Sequence, residues 1–261
     1  VSNLELFNTW RDLTDAELSI ELARATGEML VLHREELIKQ GTTQWALKDS
    51  GDIVAHKFLM EAFTLLRPHD IVLSEEGADD RRRLGADRVW IIDPLDGTNE
   101  YGEGRSDWAV HIALWEHCAL TAGAVSLPSI TTVFGTDPAA VVPPKEGTKP
   151  RLVTSRNRVP YAAIIVAEKL GCDAYRLGSA GAKAMSILMG EADIYVHDGG
   201  MNQWDSAAPA AVAMAAGLHA SRLDGSPLVY NEPDTWLPDF FVCRPEYVDD
   251  ILQAMWGRDP R

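Results

Sequence analysis

Apolar residues recur at helical spacing after Thr14. Leu18, Leu22, Ala25, Met29 and Leu32 share one face, and Thr14 with Glu17 forms a Thr-x-x-Glu capping box ahead of them. The pattern predicts a helix over residues 14–39. A second helix is expected from about Ile53 to Leu66, with Ala55, Leu59, Ala62 and Leu66 on one face and Arg67-Pro68 as its stop. The period then shortens. Ile71-Val72-Leu73 and Val89-Trp90-Ile91-Ile92 are apolar runs bounded by polar residues, as buried strands are. Segments 108–114, 119–127 and 131–134 read as strands of an antiparallel meander.

Residues 137–150 carry Pro138, Pro143, Pro144, Gly147 and Pro150 and read as a linker. Beyond them strands (151–154, 174–177, 192–196, 240–243) alternate with helices (161–170, 180–189, 206–216, 246–256). Such alternation predicts sheets layered with helices. The boundary suggests an N-terminal α+β half over 1–150 and a C-terminal α/β half over 151–261. No internal repeat or low-complexity tract interrupts the pattern.

Composition narrows the partners. The chain has 261 residues, 46% of them hydrophobic, so a substantial core is expected. Its formal net charge of -15 excludes a general basic field for nucleic acid or anionic membrane. An anionic substrate would need a local reversal of sign, which a bound divalent cation provides. Cys118, Cys172 and Cys243 are too few and too widely spaced for a disulfide framework, and no CxxC pair occurs. The start, Val1-Ser2-Asn3, has no basic stretch followed by a long apolar one, so no signal peptide is expected. No apolar run approaches the ~20 residues of a membrane span. These features together predict a soluble cytoplasmic protein with reduced thiols.

The chemistry concentrates in Asp93-Pro94-Leu95-Asp96-Gly97-Thr98, directly after the strand-like run 89–92. Pro94 fixes one backbone angle and Gly97 permits a tight turn, so both carboxylates and a backbone carbonyl can aim at one point. Hard cations such as Mg²⁺ take oxygen ligands of this kind, and N–H groups after the turn can cradle a phosphate. An ordinary acidic turn uses the same residue types. Two further acidic sites follow the same logic. Glu75-Glu76 comes after the strand 71–73, and Asp205 in Trp204-Asp205-Ser206-Ala207-Ala208 precedes a small, apolar helix. Helix N-capping alone would also account for Asp205.

Three blocks in this order, Glu75-Glu76, Trp90 to Thr98 and Trp204 to Ala208, resemble the inositol monophosphatase-like superfamily of lithium-sensitive, Mg²⁺-dependent phosphatases. The likeness runs from the first helix to Gly225-Ser226-Pro227-Leu228. Within the superfamily it leans to the CysQ-type branch acting on 3'-phosphoadenosine 5'-phosphate. That leaning rests on Asp107 to Trp115, Gly178 to Met185 and His219 to Leu228. The resemblance implies a layered αβαβα sandwich of mixed α/β (α+β) class. The implied reaction is hydrolysis of a nucleotide bisphosphate to AMP and phosphate, clearing a by-product of sulfate assimilation. Inositol 1-phosphate and fructose 1,6-bisphosphate are rival substrates, and a silent nucleotide- or metal-binding module is a remote one. A homodimer is compatible with it.

Carried onto this chain, the resemblance implies that Glu75, Asp93 and the Leu95 carbonyl hold one Mg²⁺, and that Asp93, Asp96 and Asp205 hold a second. A third, weaker ion is expected near Glu75. Thr98 would orient the attacking water with Asp52 as its partner. Asp49 remains a rival for that partner, and capping of the second helix is the other explanation of Asp52. Gly97 and Thr98 would offer N–H groups to the phosphate. Lys183, with Ser179, matches a lysine in a Gly-Ser loop opening a helix, where an anion is naturally held; a solvated surface lysine is the bland alternative. His197 stands near a position where inositol monophosphatases carry a glutamate. It is assigned to the nucleotide together with Arg222, or is a simple strand-end histidine. Trp90 and Trp115 read as core rather than as base-stacking platforms.

Overall fold

The structure, a computed structural model, describes residues 2–257. The outer ends of the two expected halves, Val1 and 258–261, lie outside the described residues. A short helix not anticipated from the pattern, α1 (Asn3–Asn8), comes first. Helix α2 (Asp15–Lys39) begins where the capping box placed it: Thr14 accepts the Glu17 N–H, and the Glu17 side chain returns to the Thr14 backbone.

Helix α3 (Gln44–Leu66) starts nine residues before the expected Ile53, capped by Thr43. Its first turns hold Asp49, Ser50, Gly51 and Asp52, all weak helix formers, which hid the periodicity. Packing overrides propensity here. A Cβ on Gly51 would come within 2.8 Å of the Tyr101 ring and 2.9 Å of Leu95, so only glycine lets the helix lie this close. Asp52 is therefore a mid-helix residue and not an N-cap.

The first sheet contains β1 (Ile71–Ser74), β2 (Arg88–Asp96), β3 (Ala109–Glu116), β4 (Ala119–Leu127) and β5 (Thr132–Gly135), in that spatial order. Helix α4 (Thr98–Gly102) interrupts the chain between β2 and β3. Strands β1 and β2 are parallel, and β2 to β5 form the expected antiparallel meander. The second half supplies β6 (Arg151–Ser155), α5 (Tyr161–Leu170), β7 (Asp173–Leu177), α6 (Ala180–Leu188), β8 (Ile194–Asn202), α7 (Gln203–Ala215), β9 (His219–Ser221), β10 (Trp236–Cys243) and α8 (Val248–Trp256). Its sheet runs β7-β6-β8-β10-β9. Helix α4 and strand β9 were too short to leave a readable period.

Three apolar clusters define the layers. Leu18, Leu22, Phe58 and Leu59 from α2 and α3 cover Trp90, Ile92, Val110 and Ile112 on one face of the first sheet. Val89, Ile91, Ala109 and Ala113 on its other face meet α6 and α7, which also pack on Tyr195, Phe240 and Val242 of the second sheet. Ala162, Val166 and Ile251 from α5 and α8 close the outer face over Ile194, Val196 and Phe241. The order is αβαβα. The run Ala207-Ala208-Pro209-Ala210-Ala211 keeps α7 thin enough to lie between two sheets. The division at residue 150 falls between the sheets, yet the α6 and α7 layer packs on both. Trp90 is fully buried and Trp115 partly so, both in the core. All three cysteines are unpaired. Among the described residues no helix is long and apolar enough to cross a membrane.

Close approach of α2 to the sheet rests on Gly27. A Cβ there would meet the Pro128 ring at 2.6 Å and the Ser126 hydroxyl at 2.9 Å. Gly27→Val should destabilise the fold by about 1–3 kcal/mol, read as a lower urea midpoint. An unchanged midpoint would show that α2 can move off the sheet freely.

Candidate active site

Both faces of β2 are covered, so alternation decides where its last residues point. Val89 and Ile91 face the central helix layer, and Asp93 continues that row. Its register partner on β3 is His111, in the same row as Ala109 and Ala113. After Asp93 the pairing shifts before Asp96. The Leu95 N–H turns back to Asp93 Oδ1 at 3.0 Å, and Gly97 takes φ 89°. A Cβ on Gly97 would stand 3.0 Å from Ser179 and 3.2 Å from Trp108, so the turn requires glycine for both shape and space.

The parallel neighbour β1 ends beside β2, which brings Glu75 to Asp93. Glu75 keeps surface in solvent, and its carboxyl group is near enough to Asp93 for each charge to act on the other. From the central layer α7 delivers Asp205. It caps its helix from the third position, accepting the Asn202 N–H at 2.6 Å, rather than from the N-cap itself. Asp52 reaches in from α3. The Thr98 hydroxyl lies 3.3 Å from Asp52 Oδ1 and 3.2 Å from the Leu95 carbonyl. Asp49, the rival, is exposed on the same helix.

The carboxylates are not equivalent. Burial pushes Asp52 up to about 7, with Glu76 adding to it. Burial, and next the charges of Glu76 and Asp96, push Glu75 up to about 7. Burial and the charge of Asp96 do the same to Asp205, also to about 7. Asp93, 1% exposed, is raised by burial and then by Glu75, Asp96 and Asp205. Asp96 alone is held low. Burial opposes its charge, but His111, the Gly181 N–H and Lys183 outweigh burial.

Asp96 is the anion that the start of α6 binds. Its oxygens accept the N–H groups of Ala180 at 3.2 Å and Gly181 at 2.7 Å, and His111 Nε2 stands 3.1 Å away. The other ring nitrogen of His111 faces the Trp204 carbonyl at 3.1 Å, which couples this strand to α7. His111 is raised, since Asp96 beside it outweighs burial. A Cβ on Gly181 would fall 2.3 Å from His111 Nε2, so this meeting also needs glycine.

Other expected residues stand differently. Lys183 is neither a surface lysine nor free at a helix start. It is 3% exposed, and its ammonium donates to the carbonyls of Gly178 at 2.5 Å and Ser179 at 2.8 Å. Burial lowers it to about 8 despite the nearby carboxylates. The Ser179 hydroxyl is engaged in capping α6 through the Ala182 N–H at 2.9 Å. Asp107, which the pattern did not single out, accepts the Gly178 N–H at 2.7 Å and so fixes the same loop. His197 is half-buried, its Nε2 3.0 Å from the Gly200 carbonyl. Arg222 is not brought to the cluster. It pairs with Asp239 through two contacts of 2.8 Å, and Asp239 shares the strand face of Phe241 and Cys243, turned to α5 and α8.

Four clustered carboxyl groups, three of them raised for want of compensating charge, have the donor chemistry of a hard divalent cation site. Among the described residues no three His, Cys, Asp or Glu side chains already converge as a closed ligand set.

A model of the inositol monophosphatase family matches residues 14–251. The chain is similar to the 3'-phosphoadenosine 5'-phosphate phosphatase of Mycobacterium leprae (strain TN), 47% identical over 255 residues, 92% of this chain and 93% of that one. It is also similar to the 3'(2'),5'-bisphosphate nucleotidase CysQ of Escherichia coli (strain K12), 30% identical over 74% of this chain and 83% of that one. Among solved structures, CysQ from Bacteroides thetaiotaomicron matches with a TM-score of 0.72 at 26% identity, over 88% of this chain and 96% of that one.

The raised groups make stability depend on pH. In the unfolded chain the carboxyls titrate near 4; in the fold Asp52, Glu75 and Asp205 keep their protons to about 7. Their contribution is present below the unfolded values and is lost as pH rises through 7. His111, also raised, acts in the same direction. Asp96, held low, loses its contribution only as the medium turns strongly acidic. Above about pH 6.5 the histidines lowered by burial, His33, His56, His197 and His219, no longer add a trend of the opposite sign, so chelator-treated protein should melt lower at about pH 8 than at about pH 6.5, and Mg²⁺ should restore the midpoint at the higher pH. A midpoint that stays flat or rises with pH would contradict this electrostatic assignment.

Proposed function

The chain belongs to the inositol monophosphatase family, and on that premise we propose that it is a Mg²⁺-dependent phosphatase hydrolysing 3'-phosphoadenosine 5'-phosphate to AMP and phosphate. The observation that carries the chemistry is the Thr98 hydroxyl, set between Asp52 and the Leu95 carbonyl beside the buried Asp93. The substrate assignment draws on the Mycobacterium leprae and Escherichia coli relatives, both described as acting on nucleotide bisphosphates. Lithium inhibition, a cytoplasmic place of action and a role in clearing a by-product of sulfate assimilation belong to the same proposal.

Glu75, Asp93 and the Leu95 carbonyl would hold one cation, and Asp93, Asp96 and Asp205 another, with a third near Glu75. Bound there, Mg²⁺ supplies Lewis-acid neutralisation of the phosphate oxygens. The remaining work falls to the chain. Thr98, donating its own proton to Asp52 or Leu95, keeps a lone pair free to accept a hydrogen bond from the attacking water. As the water oxygen bonds to phosphorus, its proton passes toward Asp52, whose value of about 7 suits a base near neutral pH. The P–O3' bond breaks, the electron pair leaves on the 3'-oxygen, and that oxygen takes a proton from solvent to give AMP while Asp52 returns its proton to solvent. The N–H groups of Gly97 and Thr98, opening α4, face the phosphate; the positive φ of Gly97 sets that turn.

Phosphate release should be measured with adenosine 3',5'-bisphosphate, inositol 1-phosphate and fructose 1,6-bisphosphate, with Mg²⁺ and after chelation. The nucleotide should give the highest kcat/KM and chelation should abolish turnover. Preference for a monophosphate would transfer the assignment to an inositol phosphatase. Turnover indifferent to chelation would remove the metal reading.

Asp52→Asn should lower kcat about 10²–10⁴-fold with little change in KM, and should flatten the acid limb of the pH–rate profile. Activity within a few-fold of the unsubstituted protein would move the role to Asp49.

A further inference from the structure

Arg83 is 0% exposed and lies outside the cluster of carboxylates. A buried guanidinium is expensive, and an apolar side chain of similar volume would usually serve stability as well or better. Its contacts indicate what it does instead. Nε and Nη2 grip Asp79 at 2.6 and 3.1 Å, closing the segment that leaves Glu75-Glu76. Nη1 donates to Asn231 Oδ1 at 2.9 Å, and Asn231 Nδ2 returns to the Arg83 carbonyl at 2.9 Å. The Asn231 N–H donates to Gln203 Oε1 at 2.7 Å. Gln203 is the first residue of α7, two before Asp205, and is itself held by the Thr235 and Asp234 carbonyls at 2.8 and 3.0 Å. Arg81 adds a bond to the Pro233 carbonyl.

We propose that Arg83, through Asn231 and Gln203, is a positioning residue that sets the Glu75 segment and the Asp205 end of α7 at the separation needed to bind divalent cations. The two carboxylates come from opposite halves of the chain, and this buried path joins the backbones that carry them. Asn231 takes the left-handed φ of 61°, held there by bonds on both its amide and its backbone. Neither Arg83 nor Asn231 bonds to any of the proposed ligands, so their effect on the cations is through placement alone. The inference rests on the metal reading given above.

Two variants test it. Arg83→Met removes the charge and keeps bulk. Asn231→Gly is the milder one, since glycine accepts the positive φ while the side-chain bonds are lost. Mg²⁺ and Mn²⁺ binding is measured by calorimetry without substrate, alongside thermal melting and the metal dependence of kcat. Both variants should bind cations about 3–30-fold more weakly, with kcat largely recovered at saturating metal. If Asn231→Gly melts lower but its cation affinity stays within two-fold, the network serves stability only and the proposal fails. If the unsubstituted protein binds no cation, it is the metal reading that falls.

Discussion

Asp93 sits in the last half of a strand buried on both faces, within reach of Glu75, Asp96 and Asp205. Placing one carboxylate there costs several kcal/mol of hydration, and each further one adds repulsion. The chain compensates only one of the four. Asp96 receives His111 and two N–H groups of α6; the other three stay raised. This uneven compensation separates a site from an ion-pair network. A network would neutralise every member, whereas here the charge deficit is left for something from solution to fill.

The layers exist in the form that makes such crowding feasible. Parallel pairing of β1 with β2 aligns two strand ends on one side of the sheet, so that Glu75 and Asp93 emerge together. Alternation on β2 aims Asp93 at the central helices, where small side chains let α7 come near enough to add Asp205. From the other face, Gly51 lets α3 press onto Tyr101 and Leu95, which carries Asp52 to Thr98. Glycines at 51, 97 and 181 are thus the residues whose absence of a side chain brings three elements to one point.

How much of this was legible follows from the range of the signals. Residues 14–39 and the meander were readable because their periods run over many residues, and the Asp93 to Thr98 turn because Pro94 and Gly97 constrain its shape. The first turns of α3 were not, since Asp49, Ser50 and Gly51 disfavour a helix that only contacts with Tyr101 and Leu95 justify. His111 was visible as a strand residue, yet its pairing with Asp96 needs the pairing shift between Asp93 and Asp96, which no local pattern announces. Lys183 was placed at a helix start correctly, but a helix start does not say which anion it holds. In the fold the anion is Asp96, and Lys183 lies beneath the loop. Arg222 shows a related limit: its segment reads as a turn, and only β10 reveals that its guanidinium is paired with Asp239.

That pattern bears on how an acidic protein can take an anionic ester at all. Several cations near the site are committed to the protein itself. His111 stands on Asp96, Lys183 on two loop carbonyls, Arg105 on Asp107, Arg156 on Glu100 and Glu103, and Arg83 on Asp79. Freeing His111, Arg105 or Arg156 would strand a buried carboxylate, and freeing Lys183 would unfasten the loop at Gly178. With a net charge of -15 around them, they hold the negative groups in place instead of attracting a further one. On the metal reading proposed above, attraction for a phosphate would come chiefly from cations recruited out of solution and from backbone N–H groups, neither of which appears in a count of lysines and arginines. The acidity of the chain and its proposed work on phosphate esters are compatible on the metal reading, in which the carboxylates would recruit the positive charge.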